Sequence, residues 1–321
     1  MKFRGWFCHL ALAWLLVATV ACGSSNTEDG NRGPGLGATQ GDAYNLDLSL
    51  ELGRLCLQSY QMLDDFNAGT TFTLPAPYTL VKTFSTSEPF ASETLGANSV
   101  PIAFIATQGD TIYLVFRGTV TISEWIDDAQ LSQVLYPFLD QGGQTEQGFT
   151  KVYQSIEPDI LATIQGLSQQ GGFTKLLVTG HSLGGALAGL AAPDLVHQTS
   201  FSNLVMYSFA GPRVGDPKFA EDTYGNNVKT SWRVVNTNDL VPKLPEATTV
   251  VFINNQPKVF FYEHFNQEQD LTFGNPISGP TDVTDIAFDH EMCNYYNALC
   301  AQTSDPTACR QANGGAHGCD P

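Results

Sequence analysis

Apolar positions along the chain follow two different periods. From Leu46 to Met62, apolar and polar side chains mix in a stretch without proline, which predicts a helix. Beyond it, short apolar runs bounded by turn residues predict strands, and helical patterns lie between several of them. The predicted strands are 101–106, 111–116, 175–179, 204–209, 232–236 and 250–253, and the predicted helices are 150–167, 183–197 and 217–223. Strands that alternate with helices imply a mostly parallel sheet covered on both faces.

The first 45 residues have a different pattern. Basic Lys2 and Arg4 precede an apolar run over 10–20, which predicts a signal peptide at 1–22 that is too short for a convincing spanning helix. Its end, Ala21-Cys22-Gly23, resembles a bacterial lipoprotein cleavage site, so Cys22 is a candidate membrane tether; Thr19 stands where that pattern usually has Leu. Ordinary secretion and an uncleaved helix stay open. Residues 23–45 are Gly- and Ser-rich and predict a flexible linker.

Seven cysteines are distributed unevenly. Cys56 falls in the first predicted helix and is expected to be buried and inert. Four lie close together in the C-terminal tail, 297–321, or just before it: Cys293, Cys300, Cys309 and Cys319. In an exported chain these predict two disulfides, in one of three pairings. A zinc site is the rival interpretation, but the spacings lack the CxxC pairs of structural zinc sites, so no metal is expected.

Composition limits the possible partners. The 321 residues carry 15 Lys and Arg against 32 Asp and Glu, a formal net charge of −17. Such a chain repels polyanions, so no nucleic-acid partner is expected. With 42% hydrophobic residues it can bury a substantial core, and we expect one main domain at 46–296.

A nucleophile motif lies between a predicted strand and a predicted helix. Gly180-His181-Ser182-Leu183-Gly184 follows the apolar run 175–179 and precedes a small, apolar, helix-compatible stretch. This strand–turn–helix context is what a GxSxG motif requires, because the turn lifts the serine Oγ above the sheet. Only glycine is expected to fit at 180 and 184, where backbone segments pass closely. The absence of GxxxxGK[ST] and GxGxxG patterns here disfavours a phosphate loop.

Five blocks of sequence, in order, resemble the class 3 lipases, a family of secreted fungal-type triacylglycerol lipases. The blocks are 115–119 (VFRGT), 148–149 (GF), 179–188 (TGHSLGGALA), 207–216 (YSFAGPRVGD) and 233–242 (RVVNTNDLVP). The resemblance covers roughly 48–296 and implies the α/β-hydrolase fold. Glu146 departs from it, because the family often has a histidine there. The Cys-rich tail and the leader also lie outside the common pattern.

The serine requires a general base that is oriented by a carboxylate, in the order Ser, Asp or Glu, His. Asp239 follows the strand 232–236 at the edge where sheet enzymes place their sites, and the resemblance implies the same residue. Asp216 is the alternative, and a side-chain turn bond is its expected role.

Four histidines follow Ser182: His197, His264, His290 and His317. His197 ends the helix that the serine begins, and His317 lies in the tail. His264 falls in an alternating run, 259–265, that predicts a strand with a packed or hydrogen-bonded histidine. His290 is the preferred base, because a junction between a loop and a helix would let its imidazole reach the serine, and Asp-His-x-x-x-x-Tyr resembles the family's histidine block.

The intermediate of acyl transfer needs preplaced donors for its oxyanion. The elbow supplies the amide of Leu183, and the resemblance implies Thr119 as the second donor. Ile122, Trp125 and Ile126 have helical spacing directly after it, where the family carries its lid. A helix packed permanently on the core remains the alternative.

The sequence therefore predicts an exported serine ester hydrolase, secreted or anchored to the outer membrane or cell surface, that needs no cofactor. A triacylglycerol lipase acting at a lipid–water interface is the leading hypothesis. A phospholipase A1 or a feruloyl or other aryl esterase would share every catalytic residue. A non-catalytic binding module of the same fold is the alternative from another class.

Overall fold

The computed structural model describes residues 42–87, 99–119, 131–275 and 283–319. These ranges fall within one compact unit, 34–321. The predicted leader, most of the linker and the lid candidates Ile122, Trp125 and Ile126 lie outside the described residues.

Strands and helices alternate through most of the unit. Its strands are β1 (Thr79–Thr86), β2 (Val100–Gln108), β3 (Thr111–Phe116), β4 (Gln133–Leu135), β5 (Gln144–Glu146), β6 (Lys175–His181), β7 (Val205–Phe209), β8 (Thr230–Asn236), β9 (Thr248–Ile253), β10 (Gln256–Phe261) and β11 (Gln267–Leu271). Its helices are α1 (Leu46–Ala68), α2 (Gln147–Gln170), α3 (Leu183–Gln198), α4 (Gly225–Asn227), α5 (Val283–His290), α6 (Met292–Cys300) and α7 (Pro306–Gln311). A π-helix spans Lys218–Tyr224, and 3-10 turns span Val241–Lys243 and Ala316–Gly318.

Seven strands form one sheet in the order β1-β2-β3-β6-β7-β8-β11. Pairing is antiparallel from β1 to β3 and parallel from β3 to β11. One face packs against α2 and α3, and the other against α1 and α6, so the central strands are buried on both sides. This is the α/β-hydrolase fold that the sequence predicts. Because β3, β6 and β8 run parallel, their carboxyl ends meet at one edge of the sheet.

Local sequence accounts for both ends of α1, the first helix along the chain that packs on this sheet. Asn45 caps α1, since its Oδ1 accepts a hydrogen bond from the amide of Leu48 at 3.0 Å, and Gly69 ends the helix in the left-handed conformation. Its buried face includes Cys56, whose thiol lies 3.4 Å from Thr179 Oγ1. Burial raises the pKa of that thiol to about 12, as expected of an inert cysteine.

Two sequence predictions of strands need correction. The run 250–253 is a strand, but β9 pairs with β10 in a separate hairpin and does not join the central sheet. The alternating run 259–265 is extended only to Phe261, so His264 lies beyond the strand. Among the described residues, no helix is both long and apolar enough to cross a membrane.

The cysteines near the C-terminus form two disulfides, Cys293–Cys319 and Cys300–Cys309. The first links the start of α6 to the end of the described tail, and the second joins α6 to α7. Together they fix the tail against the helix that follows His290. The sequence predicted two bridges but left all three pairings open.

Candidate active site

Ser182 lies between β6 and α3 in a strained backbone conformation. Its φ of 57° and ψ of −126° are unusual for a residue other than glycine, and its amide donates to the carbonyl of Phe209 at 2.9 Å. The side chain is 1% exposed. This is the geometry of a nucleophile elbow, in which a sharp turn presents the serine at the carboxyl edge of the sheet.

The glycines on either side of Ser182 allow that turn. A Cβ at Gly180 would lie 2.1 Å from the carbonyl oxygen of Gly184, and one at Gly184 would lie 2.4 Å from the carbonyl oxygen of Phe116. Neither position has room for a side chain, as the motif predicts. The close approach also brings the end of β3 next to the elbow.

Asp239 and His290 form a buried hydrogen-bonded pair. The Nδ1–H of His290 donates to Asp239 Oδ2 at 2.8 Å, and the two side chains are 6% and 0% exposed. The hydroxyl of Tyr295 donates to the same carboxylate oxygen at 2.8 Å, and the amide of Val241 donates to Oδ1 at 2.9 Å. Three donors therefore hold the carboxylate in place.

The remaining nitrogen of His290 faces the interior without a partner. Since Nδ1 carries the proton, Nε2 presents a lone pair, and it is buried without a hydrogen bond from the described residues. His264 Nδ1 is also buried without a hydrogen bond from the described residues, so the bond from His290 to Asp239 is what distinguishes the two histidines. His290 thus has the tautomer that general-base chemistry requires, and among the described residues no hydrogen bond joins its Nε2 to Ser182.

The backbone around His290 differs from the predicted junction between a loop and a helix. His290 is the last residue of α5, and α6 begins two residues later, so the imidazole comes from a junction between two helices. Asp289, just before it, is buried, and neither of its carboxylate oxygens has a hydrogen bond from the residues that the structure describes. Burial and then the nearby charges of Asp239 and Asp285 raise the pKa of Asp289.

Candidate oxyanion donors surround the elbow. Leu183 is the first residue of α3, where a backbone amide has no acceptor within its own helix. Thr119 follows β3 and is 8% exposed. The buried guanidinium of Arg117 donates to the carbonyls of Pro101 and Gly118, which fixes the turn before Thr119. A Cβ at Gly118 would lie 2.9 Å from Ser182 Cβ, so this turn adjoins the serine.

The alternative acid and base have other partners. Asp216 Oδ1 accepts a hydrogen bond from the amide of Phe219 at 2.8 Å, which is the turn bond expected from the sequence. The Nε2–H of His264 donates to the carbonyl of Pro242 at 2.6 Å, and none of the hydrogen bonds described for Asp239 involves His264. Burial, with Arg233 and Arg213 nearby, keeps the pKa of His264 well below its usual range.

Sequence reasoning did not identify three side chains that contact the pair or the elbow. Tyr295 binds Asp239, and His181 binds the carbonyl of His290 through Nε2 at 2.8 Å. Tyr60 of α1 binds His181 Nδ1 at 2.6 Å. The tyrosine in the Asp-His-x-x-x-x-Tyr grouping was a signal for Tyr295. Tyr60 is 121 positions from His181, and nothing local to either residue indicates their contact.

No cluster of three metal-ligating side chains occurs in the part of the chain that the structure describes. The groups that converge at this edge of the sheet are therefore a hydroxyl, an imidazole, a carboxylate and backbone amides.

Comparison with known proteins agrees with this geometry. The sequence profile of the class 3 lipases matches residues 113–249. The solved structure of native Rhizomucor miehei lipase in complex with its propeptide is 30% identical, with a TM-score of 0.51 over 69% of this chain and 75% of that one. This chain belongs to the class 3 lipase family. The elbow and Asp239 fall within the matched residues, and His290 follows them.

Curated lipases resemble this chain over part of their length. The Rhizomucor miehei lipase is 37% identical over 179 residues, which are 55% of this chain and 46% of that protein. The secreted mono- and diacylglycerol lipase A of Penicillium cyclopium is 34% identical over 180 residues, 56% of this chain and 55% of that protein. The chain therefore matches about half the length of these curated relatives.

Proposed function

We propose that this class 3 lipase family member is a serine hydrolase that cleaves carboxylic esters through an acyl-Ser182 intermediate, with triacylglycerols as its substrate class. The observation that carries the proposal is the hydrogen bond from His290 to Asp239, which leaves a buried lone pair on His290 Nε2. The strained backbone of Ser182 supports it, because such strain concentrates at functional residues.

The proposed reaction has two halves. Ser182 Oγ attacks the ester carbonyl while His290 Nε2 takes its proton, and Asp239 stabilises the imidazolium that forms. The amides of Leu183 and Thr119 would hold the oxyanion of the tetrahedral intermediate. His290 then gives the proton to the departing alcohol. In the second half, water attacks the acyl-enzyme while His290 takes its proton, and His290 returns that proton to Ser182 as the acid leaves. Every proton starts and ends on substrate, water or one of these groups, so the proposal requires no cofactor.

The identity of the natural ester is a separate and more specific proposal. Relatives named as a lipase and as a mono- and diacylglycerol lipase support acylglycerols. A phospholipase A1 or a feruloyl or aryl esterase would use the same groups. A non-catalytic binding protein of the same fold would hydrolyse none of these esters.

A panel of esters separates these alternatives. The purified chain and its Ser182→Ala variant would be assayed on p-nitrophenyl esters from C2 to C16, emulsified triolein, phosphatidylcholine and methyl ferulate. A lipase prefers the longer acyl chains and gains rate on triolein, and the variant is inactive. Turnover confined to C2–C4 without gain on triolein contradicts the lipase proposal, and turnover that is unchanged in the variant contradicts the mechanism.

We also propose that the substrate is met at a lipid–water interface. The β9–β10 hairpin supports this: Val250, Phe252, Val259 and Phe261 lie on one face and are 54%, 71%, 48% and 55% exposed. An exposed apolar patch of this kind is typical of an interaction site, and a lipid surface is the partner that matches the proposed substrate. The residues from 247 to 262 include no Asp or Glu, although the chain carries 32.

The location of the protein is a further proposal. The leader at 1–22 supports export, and the two disulfides near the C-terminus are typical of an oxidising compartment. We propose a lipidated Cys22 that tethers the catalytic domain, 46–296, and the tail, 297–321, through the linker 23–45 to a membrane. Incorporation of labelled palmitate that is lost in Cys22→Ser would support the tether. A mature protein that begins elsewhere without a lipid would contradict it.

A further inference from the structure

A second histidine packs directly against the proposed base. The ring of His181 lies 4.7 Å from the ring of His290, measured between centroids, and His181 is 3% exposed. It immediately precedes Ser182, so its position is fixed by the same strand end. Its two ring nitrogens each have one partner, and those partners determine its protonation.

The hydrogen bonds of His181 specify a neutral tautomer. The carbonyl of His290 can only accept, so His181 Nε2 carries the proton in their 2.8 Å contact. Nδ1 is then bare and accepts the hydroxyl proton of Tyr60 at 2.6 Å. Burial, followed by the nearby His290, keeps the pKa of His181 well below its usual range, which agrees with a neutral ring. His181 therefore joins Tyr60 to the main chain of His290.

Tyr60 also lies beside the oxyanion turn. A Cβ at Gly118 would be 2.2 Å from the Tyr60 hydroxyl oxygen, so the hydroxyl fills the space that Gly118 leaves open. Tyr60 is 5% exposed and belongs to α1, on the opposite side of the sheet from α3. One phenol thus contacts the turn that precedes Thr119 and the histidine that precedes Ser182.

The outer face of Tyr60 is covered by the C-terminal tail. The ring of His317 stacks on it at 5.0 Å with an interplanar angle of 28°. His317 Nδ1 lies 2.7 Å from Asp64 Oδ2, and its amide donates to Gln61 Oε1 at 3.0 Å. Two residues later, Cys319 is bonded to Cys293, which lies three positions after His290. The tail therefore contacts α1 on one side of the site and is fixed to the segment of His290 on the other.

We propose that the disulfide-linked tail is part of the machinery that positions the base: Asp64 holds His317, His317 packs on Tyr60, Tyr60 holds His181, and His181 holds the main chain of His290. This inference rests on the proposed function, because it assigns His290 the role of base. His181, Tyr60 and His317 are positioning residues that act through His290. His317 and Tyr60 both lie outside residues 113–249, which the family profile matches.

The geometry explains why small losses here would reduce turnover. Removing the Tyr60 hydroxyl leaves a buried bare nitrogen on His181, and the ring can then rotate or change tautomer and release the carbonyl of His290. A displacement of about 1 Å at a reacting group can cost roughly 100-fold in rate. Substrate contacts are unaffected, so the loss is expected in kcat and not in KM.

The experiment compares four variants on a soluble p-nitrophenyl ester. Tyr60→Phe keeps the ring and removes the hydroxyl, and we expect kcat to fall about 10- to 100-fold with little change in KM. His317→Ala removes the stack, and we expect a kcat loss of about fivefold or more, whereas His317→Phe retains the stack and restores most of the rate. His197→Ala, a change at an exposed histidine of α3, is the matched control.

Competent sites would be counted with a fluorophosphonate, so that kcat refers to folded enzyme even where a variant folds poorly. Wild-type kcat per site in Tyr60→Phe, or equal rates in His317→Ala, His317→Phe and wild type, would overturn this inference and leave the proposed function intact. Hydrolysis by wild type that does not depend on Ser182 would instead overturn the proposed function and, with it, the role of the tail.

Discussion

His290 donates its Nδ1 proton to Asp239 across 2.8 Å, and this bond determines which nitrogen of the ring stays bare. The carboxylate cannot donate, so the proton stays on the imidazole and Nε2 keeps its lone pair. Tyr295 and the amide of Val241 hold the carboxylate from its other sides. Contacts within the protein therefore orient the proposed base before any substrate binds.

Replacing Asp239 by Asn tests this relationship. An amide can donate to Nδ1 and so stabilise the tautomer with its proton on Nε2, which cannot accept from Ser182. We expect kcat to fall roughly 10³- to 10⁴-fold while KM changes little. Steady-state kinetics on a p-nitrophenyl ester would measure this. Asp216→Asn is the matched control, because an Asn Oδ1 can keep the bond to the Phe219 amide; a larger loss there than in Asp239→Asn would contradict the assignment.

Glu146 makes stability depend on pH. It caps α2 through Phe149, and burial raises its pKa to about 7 from 4.5. Between these values the folded state holds a proton that the unfolded state has lost. The contribution of Glu146 to the free energy of unfolding is therefore fully present below pH 4.5. It falls by roughly 3 kcal/mol as the pH rises to about 7.

Glu146→Gln keeps an acceptor for the cap and removes the titration. Urea unfolding from pH 4 to pH 8 should show the variant gaining stability relative to wild type as pH rises. Glu221→Gln, at an exposed carboxylate, is the control and should run parallel to wild type. A constant difference between wild type and Glu146→Gln across the range would show that Glu146 titrates normally.

The two disulfides are predicted to stabilise the folded state to different extents. Cys293–Cys319 spans 26 positions and Cys300–Cys309 spans 9. In the loop-entropy description, removing the longer link costs about 3.5 kcal/mol and the shorter one about 2.5 kcal/mol. Paired Cys→Ala variants, compared by urea unfolding, would measure both losses. A non-reducing peptide map must also show these two links; either of the other pairings would contradict the structure.

The exposed face of the β9–β10 hairpin predicts adsorption to neutral lipid. Phe252→Ser with Phe261→Ser should lower partitioning onto triolein droplets about 10-fold or more, since each buried Phe contributes roughly 1–2 kcal/mol. Turnover of a soluble C4 ester should not change. Phe66→Ser, at an exposed Phe of α1, is the control. Equal partitioning of all three proteins would remove the hairpin from the proposed interface.

The sequence predicted secondary structure best for strands that are buried on both faces. β3, β6, β7 and β8 were found from apolar runs, and the mostly parallel sheet predicted from those runs is confirmed. The α/β-hydrolase fold that the family resemblance implied is confirmed as well. The polar edge strand β11, Gln267–Leu271, was missed, since it pairs only with β8 and carries no apolar pattern. β9 has a strand composition, but sequence alone does not show which sheet a strand joins.

The site residues that the sequence could indicate belong to local motifs, and their catalytic roles stay predictions. The strand–turn–helix context and the family blocks led to Ser182, Asp239 and His290, which the fold brings to one edge of the sheet. Tyr60 and His317 could not be predicted in this way, because they meet the site from α1 and from the tail through contacts between distant parts of the chain. The disulfide pairing is likewise a property of the folded tail.

The central claim is that Ser182 is the nucleophile activated by His290. The most direct measurement is intact-protein and peptide mass spectrometry after reaction with a fluorophosphonate, on wild type, Ser182→Ala and His290→Ala. We predict one adduct per chain on Ser182 in wild type, none in Ser182→Ala, and labelling slowed by about 10³-fold or more in His290→Ala. An adduct on another residue, or equal labelling rates in wild type and His290→Ala, would contradict the account.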